Sequence, residues 1–169
     1  MKTKNIKMKI KEYFFVNPSA KLRVREIERA IKSPLPSVIR YCKEFEKEGI
    51  LTTIKIGGVR VYTASKIDEK YLLEKKLYNI GEIYESGLID YIKQELSNPA
   101  IVLFGSFAKG EDTEESDIDL YIETRSKKKV NVERFEKMLR RKIQIFQHKN
   151  LKEISNPHLA NNIVNGMTL

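Results

Sequence analysis

The chain has 169 residues, of which 41% are hydrophobic and 33% charged, so it can form one ordinary domain or two small ones with packed cores. No apolar run approaches the ~20 residues that cross a bilayer, and the N-terminal sequence lacks the apolar core of a signal peptide, so we expect a cytoplasmic protein without a membrane partner. The single Cys42 excludes an internal disulfide and a cysteine-based zinc cluster, and we expect its thiol to be buried.

The net charge of +9 is concentrated in the first part of the chain. Residues 1–66 contain 16 Lys and Arg against 6 Asp and Glu, whereas residues 67–169 contain 16 against 17. This asymmetry predicts a basic module that binds a polyanion, joined to a nearly neutral body. The alternative is a lysine-rich surface that is merely solvated.

Three short helices are predicted in the basic part. Apolar residues at helical spacing favour helices over Met8–Val16 and Leu22–Ile31. A third helix is expected to begin near Pro36 and to end at Gly49, because proline suits a first helical position and glycine ends helices. The side chains of this helix that we expect to point inward are Val38, Ile39, Cys42 and Phe45.

A β-hairpin is predicted after the third helix. The strand-like runs Leu51–Ile56 and Val59–Thr63 are separated by Gly57-Gly58, which is typical of a two-residue turn that requires positive φ. Lys55 and Arg60 lie beside its tip.

The order of three helices and a basic hairpin resembles the winged helix-turn-helix family over residues 5–65, and the run 37–51 is similar to its recognition helix and exit. The resemblance implies a third helix in the major groove of double-stranded DNA and a hairpin at the backbone or minor groove. The alternative is a protein-docking or dimerising module, and the acidic Glu44, Glu46 and Glu48 turn the far end of the helix away from phosphates. The residues expected at DNA are Ser37, Arg40, Tyr41, Lys43, Lys55 and Arg60.

Residues 67–97 are predicted to form a helical connector. Helix formers dominate from Ile67 to Leu96, and we expect one helix of about three turns followed by a second helix that packs on the next domain. Gly81 and Ser86-Gly87 are expected to break the helical run. The alternative is a helical seam for a homodimer or for a helical protein partner.

A phosphate site is predicted where the first strand of the second domain ends. The apolar run Ala100–Phe104 predicts a buried strand that stops at Gly105-Ser106. Glycine permits close approach of a ligand to the backbone, and free amides at a helix start favour anions. Many turns of this kind use Gly-Ser for steric reasons alone.

Paired carboxylates follow an acidic loop, in the strand-like run 116–122. Residues two apart share one face of a strand, so Asp117 and Asp119 are expected to project together while Ile118 and Leu120 enter the core. Two adjacent carboxylates repel each other unless a cation lies between them, and Mg²⁺ uses one or two such groups together with substrate phosphates.

The combination of Gly105-Ser106 with Asp117-x-Asp119 resembles the signature of the DNA polymerase β-like nucleotidyltransferase superfamily, especially its minimal members. The resemblance implies an α/β (α+β) domain with a mixed sheet flanked by helices at residues 98–169. It implies that Asp117 and Asp119 are catalytic and bind Mg²⁺ or Mn²⁺, and that Gly105 and Ser106 bind the phosphates of an NTP. Lys109 lies where the family often has a basic residue.

The third carboxylate of this family is missing from its expected position. After a helix at Val132–Arg141, the strand Ile143–Gln147 is expected to supply that acid, but Gln144 stands there. An amide oxygen can bind a metal, yet it cannot take a proton. Three alternatives follow. The reaction proceeds with two carboxylates, or another acid such as Glu123 takes the place of the third carboxylate. In the third alternative, the domain binds nucleotide without turnover.

The function expected from these patterns is metal-dependent transfer of a nucleoside monophosphate from an NTP to a hydroxyl acceptor, with DNA binding contributed by residues 1–66. One alternative is a transcriptional regulator whose second domain binds nucleotide without catalysis, and another is an antitoxin-like nucleotidyltransferase that binds a helical partner. His148 and His158 are expected at the surface, and a last helix is predicted over Pro157–Val164, capped by Asn165-Gly166.

Overall fold

A computed structural model describes residues 5–169, and the chain divides into two compact units, Met1–Lys75 and Lys76–Leu169. The division falls inside a helix rather than at residue 66. The division into independently folding domains at residues 1–66, 67–97 and 98–169 stays a prediction.

The first unit contains three helices and a hairpin within residues 5–64. Its helices are α1 (Ile6–Val16), α2 (Val24–Ile31) and α3 (Leu35–Lys47), and its strands are β1 (Leu51–Ile56) and β2 (Val59–Ala64). The strands pair antiparallel around Gly57 and Gly58, whose φ angles of 56° and 77° explain why glycines occupy this turn. The predicted hairpin is therefore present.

Helix α3 buries one face. Val38, Cys42 and Phe45 are at most 1% exposed, and burial raises the pKa of the Cys42 thiol to about 12. The prediction that Ile39 points inward is wrong, since its side chain is 38% exposed. Adjacent helical residues are turned by about 100°, so a face centred on Val38 and Cys42 leaves Ile39 at its edge.

Two helices follow, α4 (Glu69–Glu85) and α5 (Leu88–Glu95). The prediction that Gly81 breaks the helical run is wrong, because α4 continues through it for 17 residues, more than the three turns expected. The break at Ser86-Gly87 is confirmed. Gly87 precedes α5 in the left-handed conformation, with φ 74°. No helix in residues 5–169 combines the length and apolar character needed to cross a membrane.

The second unit is built on a mixed sheet. Among the described residues its strand order is β5-β4-β3-β6, with β4 and β5 parallel and the other neighbours antiparallel. Its elements after α5 are β3 (Ala100–Phe104), α6 (Gly105–Lys109), β4 (Ile118–Glu123), α7 (Glu133–Leu139), β5 (Ile143–His148), a 3₁₀ turn (Leu151–Glu153), α8 (Pro157–Val164) and β6 (Met167–Thr168).

Each face of this sheet has its own apolar cluster. One face packs against α5, α6 and α7, and its buried side chains include Leu103 and Leu120. The other face carries Phe104 and Tyr121, which pack against Ile163 of α8. Since side chains alternate along a strand, Asp119 shares the second face with Tyr121.

Candidate functional site

The turn between β3 and α6 brings the backbone against a carboxylate. Gly105 has φ +76°, and a Cβ built on it would lie 2.3 Å from Oδ2 of Asp119. The register explains this approach, because Phe104 pairs with Asp119 across β3 and β4. Glycine is required at this position both by the positive φ and by the space that Asp119 occupies.

Asp117 and Asp119 lie close enough to interact electrostatically. Burial raises the pKa of the Asp119 carboxyl above its usual value, and the negative charge of Asp117 raises it further. Ile118 and Leu120 are fully buried as expected. Asp117 is exposed and precedes β4, which begins at Ile118, two residues later than the predicted run 116–122.

Gln144 is the cross-strand neighbour of Asp119. The parallel register pairs Asp119 with Gln144 and Tyr121 with Phe146, so the Gln144 side chain lies on the same sheet face as Asp119. Gln144 is exposed. Within residues 5–169, no group of three or more His, Cys, Asp or Glu side chains is arranged to hold a metal ion.

Glu123, the other acid considered in the sequence, lies at the opposite end of β4. Glu123 lies four positions after Asp119 in the strand, a distance of about 13 Å. Its Oε2 accepts a hydrogen bond of 3.1 Å from the Tyr121 hydroxyl. Burial and this bond raise the pKa of Tyr121 to about 12. The fold therefore does not bring Glu123 to the Asp117–Asp119 pair.

A cavity of about 240 Å³ adjoins the Gly105 turn. Its polar lining combines lysines with amide side chains, and none of its described lining residues carries a carboxylate. These polar lining residues are Lys76, Lys109, Asn161, Asn162 and Asn165. The sequence motif predicts Lys109 at this site but not the asparagines. Their clustering in a short helix, where asparagine is a poor helix former, was the available signal.

The end of α8 is held tightly against β3. A Cβ built on Gly166 would lie 2.6 Å from Cγ1 of Val102 and 2.7 Å from the Leu103 carbonyl oxygen. Glycine therefore permits a close approach of the chain to the sheet at this point. This contact fixes the helix that supplies the asparagines of the cavity.

A buried polar network connects the segments that carry the site. The Asn79 side chain donates to the Phe107 carbonyl oxygen at 2.9 Å and to Oδ1 of Asp112 at 2.8 Å. Arg141 donates to Oδ2 of Asp112 at 3.2 Å and also to the Thr113 carbonyl oxygen. Because buried charges need partners, this network fixes α6, the loop before Asp117 and the turn before β5 relative to one another.

Two of the residues expected to contact DNA are exposed cations on α3 of the first unit. Arg40 and Lys43 are exposed on α3, and the Arg40 guanidinium donates a 2.7 Å bond to the Tyr41 hydroxyl and lies over the Tyr41 ring. Ser37 is half-buried.

The hairpin cations are arranged differently. Lys55 and Arg60 are cross-strand partners, and Lys55 is exposed. Arg60 is held by Glu46, with N···O distances of 2.6 and 2.5 Å, and Thr53 donates to the same carboxylate at 2.8 Å. The hairpin pattern predicts the position of Arg60 beside the tip but not its ion pair with Glu46.

Comparison with known proteins gives one match. The family model described as a nucleotidyltransferase domain matches residues 85–161. This range contains Gly105, Asp117, Asp119 and Gln144, and it supports a nucleotidyltransferase domain in the second unit. Searches of curated proteins and of solved structures gave no significant match.

Proposed function

We propose that the second unit transfers a nucleoside monophosphate from an NTP to a hydroxyl acceptor in a metal-dependent reaction. The observation that carries this proposal is the contact between Gly105 and Asp119, with Asp117 beside it. This contact lies inside the range that matches a nucleotidyltransferase domain. It puts a turn suited to phosphates against paired carboxylates suited to a divalent cation.

The donor atoms fit Mg²⁺ or Mn²⁺. Asp117 and Asp119 would hold the ion, and the side-chain oxygen of Gln144 is a neutral donor on the same sheet face. Two carboxylates suffice, because Mg²⁺ normally completes its coordination with water and substrate phosphates rather than with a protein cage. A bound ion would neutralise the charge that develops on the phosphates during transfer.

The phosphate chain of the NTP would lie along the Gly105 turn. Gly105 and Ser106 would contact it through their backbone, as the resemblance implies. The adjoining cavity contributes the ammonium groups of Lys76 and Lys109. A divalent cation on the carboxylates, together with these lysines, would hold a polyanion without leaving its charges unpaired.

Nucleotide binding without turnover is the second candidate, and the register at Gln144 favours it. Gln144 cannot accept the proton of an attacking hydroxyl, and Glu123 lies about 13 Å along β4 from Asp119. In this alternative the protein is a DNA-binding regulator whose second unit binds nucleotide. The two candidates share the phosphate and metal sites and differ only in pyrophosphate release.

The first unit supports a DNA-binding role in either case. Its helices and hairpin have the order that a winged helix-turn-helix module needs, and Arg40 and Lys43 are exposed on its third helix. In this proposal α3 enters the major groove, and Lys55 and Arg60 meet the backbone. Phosphate would compete with Glu46 for the Arg60 guanidinium.

The decisive experiment incubates the full chain with Mg²⁺ and each α-labelled NTP, and measures pyrophosphate together with label on duplex DNA, single strands or protein. The double variant Asp117→Asn/Asp119→Asn should abolish release, whereas Asp90→Asn on the exposed surface of α5 should not. Release that is unchanged in the double variant would refute the site. Metal-dependent NTP binding without any release from the wild-type chain would establish the second candidate instead.

A further inference from the structure

The cavity beside Gly105 contains groups that a phosphate chain alone does not use. The phosphate oxygens of an NTP only accept hydrogen bonds, and the ammonium groups of Lys76 and Lys109 are donors that suit them. A carboxamide offers two donor hydrogens and also an acceptor oxygen, which needs a ligand group that donates. The carboxamides that line this cavity belong to Asn161, Asn162 and Asn165.

The carboxamide of Asn165 has a fixed orientation. Its Nδ2 donates to the main-chain carbonyl oxygen of Asn161 at 2.9 Å and to Oδ1 of the same residue at 3.3 Å. A main-chain carbonyl oxygen can only accept, so the nitrogen and oxygen of the Asn165 amide cannot be exchanged. A ligand in the cavity therefore meets Oδ1 of Asn165 as an acceptor and Nδ2 of Asn161 as a donor.

Apolar side chains form another part of the cavity wall. They belong to Phe104, Ala108 and Met167, and the first two are buried and therefore held by packing. Proteins that read a nucleobase combine hydrogen bonds to its edge with contacts of its ring to aromatic or apolar side chains. The cavity volume of about 240 Å³ is below the ~300 Å³ of the smallest pockets for drug-sized molecules. The cavity can therefore enclose one ring system rather than a whole NTP.

The fold places α8 on the sheet face that carries Asp119. Ile163 of α8 packs against Phe104 and Tyr121, and Asp119 shares their face because side chains alternate along a strand. Gly105 lines the cavity together with the asparagines at the end of α8, and it also contacts Asp119. An NTP whose phosphates lie along the Gly105 turn therefore reaches the asparagines without crossing the sheet.

We propose that the cavity holds the nucleobase of the NTP, and that Asn161 and Asn165 select the base by hydrogen bonds to its edge. This inference rests on the proposed function, because phosphates bound at Gly105 direct the base to the cavity. Bases differ in the positions of their donors and acceptors, and a base whose edge does not match leaves a polar group unpaired. The two asparagines then determine specificity and take no part in binding phosphate or metal.

The test measures, by titration calorimetry with Mg²⁺, the affinity of the full chain for each of the four NTPs and for inorganic tripolyphosphate. Tripolyphosphate has the phosphates without the base, so it reports the phosphate and metal contacts alone. The wild-type chain should prefer one NTP over the weakest by at least about tenfold. Asn161→Ala/Asn165→Ala should lower the affinity for the preferred NTP about tenfold and bring the four NTPs to within about threefold of one another. Its affinity for tripolyphosphate should stay within about twofold of wild type.

Two control variants separate base contacts from other effects. Asn150→Ala makes the same change at an exposed position outside the cavity and should alter neither affinity nor selectivity. Lys109→Ala should weaken tripolyphosphate and all four NTPs alike, so the ratios among the NTPs should persist. Asn161 and Asn165 are exposed, and alanine is a better helix former than asparagine, so the double variant should keep its fold, which circular dichroism checks.

Several results would overturn the base site. They are a wild-type chain that binds no NTP or binds all four equally, selectivity that persists in Asn161→Ala/Asn165→Ala, and equal weakening of tripolyphosphate and NTPs in that variant. Equal weakening of the four NTPs with unchanged binding of the four dNTPs would place the ribose in the cavity and also refute base selection.

Failure of the proposed transferase site has a different signature. Tripolyphosphate that does not bind the wild-type chain, or binds Asp117→Asn/Asp119→Asn equally well, would contradict the phosphate and metal site. If NTP selectivity is nevertheless present and is lost in Asn161→Ala/Asn165→Ala, the base site stands by itself.

Discussion

The carboxylate of Asp119 carries a charge that the fold disfavours. It is partly buried, close to Asp117, and in contact with Gly105. Sites that gather like charges for a ligand are commonly less stable than the same fold without them. The loss of folding stability caused by the Asp119 charge can therefore be measured without any ligand.

We expect Asp119→Asn to raise the melting temperature at pH 7 in buffer that contains a chelator. The pKa of Asp119 is raised in the folded state, so ionisation costs the folded state more than the unfolded state, and the variant removes that cost. The gain should be present at pH values above the folded pKa and should vanish as the pH falls below 3.8, the ordinary value. Calorimetry at pH 7 and at about pH 3 checks that the gain in melting temperature is present at the higher pH and absent at the lower pH. Asp90→Asn is the control, and a gain that persists at low pH would contradict the electrostatic cause.

Gln144→Asp tests whether the missing acid limits turnover. An Asp here would supply a charge for a second metal ion and a group that can take the acceptor proton. A well-placed general base contributes about 10²- to 10⁴-fold, so pyrophosphate release should rise measurably even if the new group is imperfectly oriented. Gln94→Asp, the same change on the exposed surface of α5, should have no effect. A fall in release would indicate that catalysis depends on the amide.

At the scale of helices and strands, the sequence correctly predicts the elements whose signals lie within a few neighbouring residues. The strand Ala100–Phe104 and the helix Pro157–Val164 lie where they were predicted, because an apolar run and a proline at a helix start are local signals. Two local inferences, at Gly81 and Ile39, were wrong. The strand β6 and the Asn79–Asp112 bond were not predicted, since both depend on residues far apart in sequence. The roles of Asp117, Asp119 and the DNA-facing residues stay predictions.

Gly81 offers a direct measurement of helix propensity. It lies within α4, and a Cβ built on it would have no heavy atom within 4 Å. Gly81→Ala should therefore stabilise the protein by about 0.5–1 kcal/mol, because alanine loses less conformational freedom in a helix. Urea unfolding gives the value. Gly87→Ala should instead destabilise by roughly 1–2 kcal/mol, because Gly87 has φ +74° and alanine is strained there. A loss of stability in Gly81→Ala would mean that the glycine has a packing role.

At the scale of the whole molecule, the charge is distributed unevenly between the two parts of the chain. Residues 1–66 have 16 cationic against 6 acidic side chains, and part of this excess is used internally. Glu44 pairs with Lys7, and Glu48 lies 3.2 Å from Lys70. The exposed cations of α3, Arg40 and Lys43, are the ones that our proposal places at DNA.

Duplex DNA binding by the full chain should weaken steeply with salt, and Arg40→Ala should reduce sequence discrimination more than Lys55→Ala. An arginine on a recognition helix can reach base edges, whereas a hairpin lysine more often meets phosphate. Selection from a random duplex pool, followed by affinity measurements at several salt concentrations, checks both effects. Lys55→Ala should lower affinity for all sequences alike. Equal discrimination by the two variants would contradict the placement of α3 in the major groove.

The pairing of β6 with β3 has a consequence for how the protein acquires its structure. Val102 lies opposite Thr168, whereas β1 and β2 of the first unit are joined by a two-residue turn. Contacts between residues distant in sequence form slowly, because a long loop must close first. During synthesis the first unit can therefore complete its hairpin while the second still has one edge of β3 unpaired. That edge is open to aggregation until Met167 and Thr168 are made and pair with it.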